Sequence, residues 1–341
     1  TISRMYSKAN TFSHLYVEEA VAESARARRI IGRFPRSTVV MIDDYNNVFG
    51  RGRQDFWRQK ASPKLILAAK KDNLLYPGNG FLQENAYPNF CYNALVLNCP
   101  YDCHYCYLQG MYPGANVVAF VNLEAYFEAV ERFAEARPDP REPVRLAISY
   151  DTDLLALEGI LGYVCEWTEW SRGQDAVEVE VRTKSARRGF FREVKASPQM
   201  RMAWTLSPAS VCERYESGAP PLSARLEALA TAVEAGWRVS LCLDPVLKVP
   251  DWERIYGGFL DELAAAVPWS AVERVEVGVF RVGVQAFRRM RKRPDTDLLH
   301  YPFEHANNAV SYKGAVRAEM MDLLRTRLAR SISPTDIYLW T

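Results

Sequence analysis

From about residue 91 onward, short β-branched or apolar runs alternate with longer stretches of helical periodicity. The predicted strands cover residues 91–97, 144–149, 177–183, 201–207, 238–243 and 272–280. Parallel strands need crossover connections, which are right-handed, so six strand–helix units favour a parallel sheet curled into a partial (β/α)6 barrel. We therefore predict an α/β chain whose functional residues lie where strands end and loops begin.

The clearest predicted helix lies between the first two strands. Asn122 can cap its start, and apolar side chains recur at three- and four-residue steps along one face: Leu123, Tyr126, Phe127, Val130 and Phe133. Further helices are predicted over residues 154–170, 222–235 and 252–266.

The two ends of the chain differ from this barrel pattern. Residues 1–89 combine a predicted helix near 16–31, a strand at 38–42 and glycine-bearing loops, which indicates a small N-terminal α/β cap. The barrel is predicted over residues 90–295. Residues 296–341 follow as a helix at 310–330 and a strand at 336–340 that pack on the barrel.

Composition excludes some classes of protein. The 341 residues are 48% hydrophobic, enough for a sizeable core, and contain no apolar run of about 18 residues that could cross a bilayer. The opening residues TISRMYSKANTFSH show no apolar stretch of the signal-peptide type. We expect a cytoplasmic monomer without a membrane partner. Because the net charge of +2 is nearly balanced, any nucleic-acid surface must come from local clustering.

Three cysteines directly after the first predicted strand form a C-x3-C-x2-C pattern: Cys99, Cys103 and Cys106. Three thiolates on one loop can hold three irons of a cubane iron–sulfur cluster, which leaves the fourth iron open to a small chelating molecule. The alternative is a structural zinc site that adds His104, although zinc usually pairs two separated knuckles. The other four cysteines lie in apolar contexts and are predicted to be buried in the core: Cys91, Cys165, Cys212 and Cys242.

The loop CPYDCHYCYLQ resembles the cluster loop of radical S-adenosylmethionine enzymes. Together with SYDTD, RTKS, TLSP and LDPV in the same order, it resembles the spore photoproduct lyase family of DNA repair enzymes. The resemblance extends over nearly the whole chain and is densest over residues 91–290. It implies a [4Fe–4S] cluster, S-adenosylmethionine as cofactor, and an outside electron donor such as a flavodoxin or ferredoxin.

The same resemblance implies a reaction and a substrate. A 5′-deoxyadenosyl radical takes a hydrogen atom from a methylene-bridged thymine dimer, 5-thyminyl-5,6-dihydrothymine, in damaged DNA. The bridge then breaks, and a cysteine just after the second barrel strand returns a hydrogen atom to the product radical.

Cofactor contacts of the family fall at the ends of successive strands. The matching positions are Thr152, Lys184, Ser207 and Asp244, with Tyr105 beside the adenine. An ammonium at Lys184 can pair with the cofactor carboxylate. Asp244 departs from the family, which has a small residue there; its carboxylate either touches the ribose hydroxyls or crowds the site.

The family's hydrogen-donating cysteine is missing. Its C-T-S-D pattern appears as Tyr150, Asp151, Thr152 and Asp153. Three alternatives follow: Tyr150 or Tyr107 supplies the hydrogen atom, Cys91 on the first strand substitutes, or the substrate is different. In the last case the enzyme acts on another nucleic acid or on a small molecule.

A basic segment, FRVGVQAFRRMRKR, follows the sixth predicted strand and contains no acidic residue. We predict that its cations face DNA phosphates: Arg281, Arg288, Arg289, Arg291, Lys292 and Arg293. A remaining hypothesis from another class is a non-enzymatic, zinc-containing nucleic-acid-binding protein that uses these cations as its binding surface.

Overall fold

A computed structural model describes residues 12–78 and 87–340. Its strands are β1 (His14–Glu18), β2 (Thr38–Ile42), β3 (Leu65–Ala68), β4 (Tyr76–Pro77), β5 (Phe90–Tyr92), β6 (Val96–Leu97), β7 (Asp102–Cys103), β8 (Val117–Phe120), β9 (Val144–Ala147), β10 (Val177–Thr183), β11 (Met200–Thr205), β12 (Glu216–Ser217), β13 (Arg238–Val246), β14 (Val272–Val279), β15 (Arg281–Gly283), β16 (Glu304–Ala306), β17 (Ala309–Ser311) and β18 (Ile337–Trp340).

The α-helices within these residues are α1 (Ala25–Gly32), α2 (Asn46–Phe49), α3 (Phe56–Lys60), α4 (Leu108–Met111), α5 (Leu123–Glu135), α6 (Glu158–Leu161), α7 (Tyr163–Ser171), α8 (Arg188–Glu193), α9 (Ala209–Tyr215), α10 (Leu222–Glu234), α11 (Trp252–Ala266), α12 (Val284–Met290) and α13 (Gly314–Leu328). Short 3-10 turns cover Glu19–Val21, Leu155–Leu157, Trp269–Ala271, Leu298–His300 and Pro334–Asp336. No helix of the described residues is both long and apolar enough to span a membrane.

The chain forms two compact units. The first contains the described residues up to Pro100 together with Met111–Val181, and the second contains Tyr101–Gly110 together with the residues from Arg182 onward. The cysteine loop is therefore divided, since Cys99 belongs to the first unit while Cys103 and Cys106 belong to the second. The predicted boundaries at residues 89 and 295 stay predictions.

The first unit contains two sets of strands. One is a five-stranded sheet in the order β2-β1-β3-β8-β6, parallel except for β6. Its centre is apolar, because every residue of β3 and β8 is buried. The other set places β5, β9 and the start of β10 side by side in parallel, with β4 antiparallel at the edge.

The second unit is built on parallel strands in the order β11-β13-β14-β18. Helices α11 and α13 pack together, and α13 also packs on β14. Two small antiparallel sheets complete the unit: β7 pairs with β12, and β17 lies between β15 and β16.

The predicted first barrel strand at 91–97 is wrong as a single element. The structure divides it into β5, which pairs with β9, and β6, which pairs with β8 in the five-stranded sheet. Almost every residue from Cys91 to Leu97 is buried, so the apolar run alone does not reveal that it serves two sheets. The other five predicted strands all appear: the one at 177–183 has the predicted bounds, and the ends of the others differ by at most three residues.

The predicted helix near residues 16–31 is wrong in its first half. Leu15 and Val17 are buried on alternate positions of β1, which lies between β2 and β3 in the sheet. The helix begins only at Ala25, where the Ser24 side chain caps it by accepting a hydrogen bond from the Ala27 amide at 3.1 Å.

Two other predicted helices are shorter or interrupted. The stretch 154–170 breaks at Gly162, whose φ of +72° lies in the left-handed region that glycine adopts at least cost. The helix predicted at 310–330 begins at Gly314, because residues 309–311 pair as strand β17. Helix α5 is present as predicted, but the Asn122 side chain bonds to the Lys70 backbone instead of capping it.

Candidate active site

The cysteine loop leaves the first unit at Asn98, the residue before Cys99. Asn98 has a φ of +68°, and its side-chain amide donates to the carbonyls of Gly114 at 2.9 Å and Asn116 at 2.8 Å. Lys60 donates to the Cys99 carbonyl. These contacts hold the chain in place immediately before the first cysteine.

In the second unit, antiparallel pairing holds the middle cysteine. Cys103 is buried in β7 and lies opposite Glu216 of β12. The next amide, of His104, donates to the Tyr215 carbonyl at 2.8 Å, and the Gln109 side chain donates to the His104 carbonyl at 2.7 Å. Cys106 is half-buried in the same loop.

The cysteine loop and the residues just after it make two further contacts, one with Ala286 of helix α12 and one with Arg293, which follows that helix. Arg293 donates two hydrogen bonds to the Asp102 carboxylate, at 2.8 and 2.9 Å. Gly110 lies so close to Ala286 of α12 that a Cβ atom on Gly110 would stand 2.2 Å from the Ala286 carbonyl oxygen. Only glycine fits there without moving backbone.

The predicted convergence of the three thiols on one cofactor stays a prediction. Within residues 12–78 and 87–340, no three His, Cys, Asp or Glu side chains come together closely enough to hold a metal ion.

The buried carboxylate of Glu216 contacts two of the predicted cofactor residues of the second unit, Tyr105 and Ser207. It accepts hydrogen bonds from the Tyr105 hydroxyl and from Arg225, and from the Ser207 hydroxyl at 3.1 Å. Burial alone would raise the pKa of this carboxyl, but Arg225 and then Lys184 outweigh burial and hold the pKa below its usual value. Glu216 is therefore ionised in the folded protein at neutral pH.

Lys184 completes this group of charges. Its ammonium lies 5.6 Å from the centre of the Tyr105 ring, within the range of a cation–π contact. Tyr105 is buried, and burial followed by the charge of Glu216 raises its pKa well above the usual value. The phenol of Tyr105 therefore keeps its proton.

Asp244 lies on β13, close to Gly278 of β14. A Cβ atom on Gly278 would be 2.8 Å from an Asp244 carboxylate oxygen, so the glycine makes room for the acid. Burial raises the pKa of Asp244, although Arg281, Arg182 and Lys184 each favour its charged form. Arg281 forms an ion pair with Asp244 at 3.9 Å.

Thr152 belongs to the first unit and is buried. Among the residues that the structure describes, its hydroxyl oxygen has no hydrogen-bond partner. An unsatisfied buried hydroxyl is costly unless a ligand or water completes it, so this position fits a cofactor contact.

Tyr150 lies among other tyrosines of the first unit. Its ring centre is 4.4 Å from that of Tyr92, which in turn stacks on Tyr76 at 5.0 Å. The adjacent Asp151 accepts a hydrogen bond from Tyr112, and burial followed by this acid raises the Tyr112 pKa. At the position where the family resemblance predicts a cysteine, the structure thus has a packed aromatic group.

Cys91 and Tyr107 are the other predicted hydrogen donors. Cys91 precedes Tyr92 in β5, so the two side chains point to opposite faces of the strand. Cys91 is buried, and burial raises its pKa to about 12. Tyr107 follows Cys106 directly and is half-buried.

The six cations predicted to face DNA do not share one environment. Four are exposed on or just after α12: Arg288, Arg289, Arg291 and Lys292. Arg293 is buried in its ion pair with Asp102, and Arg281 is half-buried beside Asp244. Arg293 thus supports the cysteine loop rather than the surface.

Sequence reasoning missed Glu216 and Arg225. One signal was available for Arg225, because it follows Leu222 by three residues and precedes Leu229 by four, on the apolar face of α10. A charged residue at such a position needs a buried partner. Nothing in the sequence identifies Glu216 as that partner.

Comparison with known proteins gives consistent matches. The family model described as spore photoproduct lyase matches residues 16–299. The spore photoproduct lyase of Bacillus subtilis (strain 168) is 24% identical over 260 residues, which cover 74% of this chain and 73% of that protein. The enzyme of Geobacillus sp. (strain Y412MC61) is 23% identical over 224 residues, 64% of this chain and 63% of that protein.

Solved structures of spore photoproduct lyase are similar in fold. A mutant with bound AdoMet and dinucleoside spore photoproduct has a TM-score of 0.80 at 18% identity and covers 97% of this chain and 99% of that chain. A complex with dinucleoside spore photoproduct has a TM-score of 0.81 at 18% identity, covering 96% and 98%. These matches confirm the predicted α/β class with a curled parallel half-barrel. Through its sequence, the chain belongs to the spore photoproduct lyase family.

Proposed function

We propose that this chain is a radical S-adenosylmethionine lyase that reverses the methylene-bridged thymine dimer of damaged DNA. The observation that carries the proposal is the family match over residues 16–299. Relatives whose structures contain dinucleoside spore photoproduct and AdoMet support the same substrate and cofactor here.

Several predicted site residues have the chemistry that these cofactors need. Cys99, Cys103 and Cys106 would hold a [4Fe–4S] cluster, and the reduced cluster with S-adenosylmethionine supplies a 5′-deoxyadenosyl radical. In the second unit, Lys184 offers a cation for a carboxylate, while Tyr105, Ser207 and Asp244 offer oxygen atoms. In the first unit, the Thr152 hydroxyl is available to a ligand.

We assign the return of hydrogen to Tyr150 rather than to Cys91. Tyr150 occupies the position of the family's cysteine, and its ring is held against Tyr92. Cys91 points to the other face of β5 and is buried. The hydrogen atom would pass from the phenol O–H to the thymine radical, and the phenoxyl radical left behind would take up one electron from the outside donor and one proton from solvent. Tyr107, in the cysteine loop, is the second candidate for the donor.

We assign DNA phosphate contacts to the exposed cations Arg288, Arg289, Arg291 and Lys292. The electron enters from a separate donor protein of the flavodoxin or ferredoxin type. We expect the enzyme to act as a monomer.

The test supplies anaerobically reconstituted enzyme with S-adenosylmethionine, dithionite and a dinucleotide that contains the spore photoproduct. We expect 5′-deoxyadenosine and restored thymines, both measured by mass spectrometry. A Cys103→Ala variant is the control and should form neither product. Formation of 5′-deoxyadenosine without restored thymine would contradict the substrate.

That last outcome would favour a second candidate function, the same radical chemistry on another nucleic acid or a small molecule. The observation behind it is Tyr150, which replaces the residue that completes the lyase reaction in the family. A screen of damaged and modified oligonucleotides for substrate-dependent 5′-deoxyadenosine would then identify the substrate class.

A further inference from the structure

The ion pair between Glu216 and Arg225 is fully buried, with both side chains at 0% exposure. Arg225 also donates to the carbonyls of Pro220 at 2.8 Å and Thr205 at 3.1 Å. Burying two opposite charges is costly, and apolar residues of similar volume are often equally stable. The pair therefore calls for an explanation other than stability.

Its position offers that explanation, because three contacts connect Glu216 to predicted cluster and cofactor residues. The Glu216 backbone pairs with Cys103, and its carboxylate accepts from the hydroxyls of Tyr105 and Ser207. Arg225 binds the other carboxylate oxygen and so fixes the direction of the group.

The direction of these hydrogen bonds determines what Tyr105 and Ser207 offer to a ligand. A carboxylate only accepts, so both hydroxyl hydrogens point toward Glu216. The lone pairs that remain on the two oxygens are then available to donors such as the ammonium group of an amino acid. Glutamine at position 216 would remove this constraint, because its amide can also donate.

We propose that Glu216, held by Arg225, is a positioning residue that fixes the strand of Cys103 and orients Tyr105 and Ser207 toward S-adenosylmethionine. This inference rests on the proposed function, since it assumes the cluster and the cofactor. Glu216 and Arg225 carry opposite charges just outside the residues that would bind the cluster and the cofactor. Because nearby net charge sets the reduction potential of an iron–sulfur cluster, removing either charge should shift that potential.

The test compares Glu216→Gln, Arg225→Met and the double variant as anaerobically reconstituted full-length protein without DNA. The cluster's midpoint potential is measured by dye-mediated titration, and cofactor binding by the change that S-adenosylmethionine causes in the EPR spectrum of the reduced cluster. We expect Glu216→Gln to raise the potential, Arg225→Met to lower it, and the double variant to return near wild type. We also expect Glu216→Gln to weaken cofactor binding about 10- to 100-fold.

A matched control is Glu273→Gln, which breaks another ion pair of the second unit, between Glu273 and Arg201 at 2.8 Å, without touching the cysteine loop. It should leave potential and cofactor binding unchanged. Should Glu216→Gln fail to fold, Tyr105→Phe and Ser207→Ala each remove one of the hydroxyl donors and should each weaken cofactor binding.

The outcomes separate the two proposals. If wild-type protein takes up no iron–sulfur cluster or gives no response to S-adenosylmethionine, the proposed function fails. If the wild type responds but the Glu216 and Arg225 variants shift the potential in the same direction, or match Glu273→Gln, the positioning role is overturned. Cofactor binding like that of wild type in both Tyr105→Phe and Ser207→Ala would overturn the positioning role as well.

Discussion

Tyr150, at the position where the family resemblance predicts a hydrogen-donating cysteine, packs its ring against Tyr92 at a centroid distance of 4.4 Å. Packing alone would explain a tyrosine there, since aromatic pairs of this kind are stabilising. Catalysis requires more, namely that the phenolic hydrogen reaches the product radical. Packing requires only the ring of Tyr150, whereas hydrogen donation also requires its hydroxyl group.

We therefore predict that Tyr150→Phe keeps the packing and loses repair. Restored thymine should fall to a small fraction of the wild-type yield, because the product radical loses its hydrogen-atom donor, while 5′-deoxyadenosine still forms. In D2O the wild type should place deuterium in the restored thymine, because a phenolic hydrogen exchanges with solvent. Tyr92→Phe is the control and should repair normally. Full repair by Tyr150→Phe would exclude Tyr150 as donor and direct attention to Tyr107.

At the scale of elements, the cysteine loop and helix α12 depend on each other through one glycine. A side chain on Gly110 would collide with the backbone of Ala286, and neither partner is a flexible side-chain end. The loop can therefore lie against the helix only with glycine at this position.

Gly110→Ala should lower the free energy of unfolding by about 1–3 kcal/mol, the usual cost of overpacking. We also expect less iron per chain after reconstitution, measured by iron analysis beside a denaturant titration. Gly283→Ala, at the start of the same helix, meets nothing within 4 Å and serves as control. Equal iron content in the two variants would contradict the role of this contact.

The segment after α12 combines two functions that differ in burial. The exposed cations Arg291 and Lys292 are free to meet phosphates, whereas Arg293 is bound to Asp102 of the cysteine loop. Neighbouring residues of like charge should therefore respond differently to substitution.

Replacing both Arg291 and Lys292 by alanine should make DNA binding less sensitive to salt. The slope of the logarithm of the association constant against the logarithm of salt concentration should become smaller in magnitude by up to about two, since each phosphate contact contributes about 0.9. Fluorescence anisotropy over a salt series measures this slope. Arg293→Ala should leave the slope unchanged and lower iron content instead. An equal loss of slope in both variants would place Arg293 on the DNA surface.

For the molecule as a whole, buried thiols make stability sensitive to alkaline pH. Burial raises the pKa of Cys91 and of Cys212 from 9.0 to about 12. Between these values the unfolded chain releases both protons while the folded chain keeps them, so stability is complete below pH 9 and falls as pH rises toward 12.

Each thiol should contribute a decrease of about 1.4 kcal/mol per pH unit in that window. Denaturant titrations at several pH values between about 8.5 and 11 measure the slope. Cys91→Ala should remove one thiol's share of it. The prediction that Cys165 is buried is wrong, because the structure leaves this thiol exposed, so Cys165→Ala should change the slope less. An unchanged slope in Cys91→Ala would mean that this thiol ionises in the folded protein.

Local patterns in the sequence determined the α/β class, most strand positions, and the three cysteines with their spacing. Such patterns suffice because strand alternation, helical periodicity and a short ligand loop all act between residues close in the chain. The errors occurred where a local pattern was ambiguous: the apolar run at 91–97 serves two sheets, and residues 14–18 form a strand where a helix was predicted.

Only the tertiary structure decided which polar and charged residues meet. Asp102 and Arg293 are 191 residues apart, and Tyr105 and Glu216 are 111 apart, so no local pattern connects them. Burial then decides the role of each charge, because a buried ion must find a partner while an exposed one need not. The cysteine spacing can thus be read directly from the sequence. The contacts that hold the loop, made by Glu216, Arg225 and Arg293, arise only when distant segments of the chain pack together.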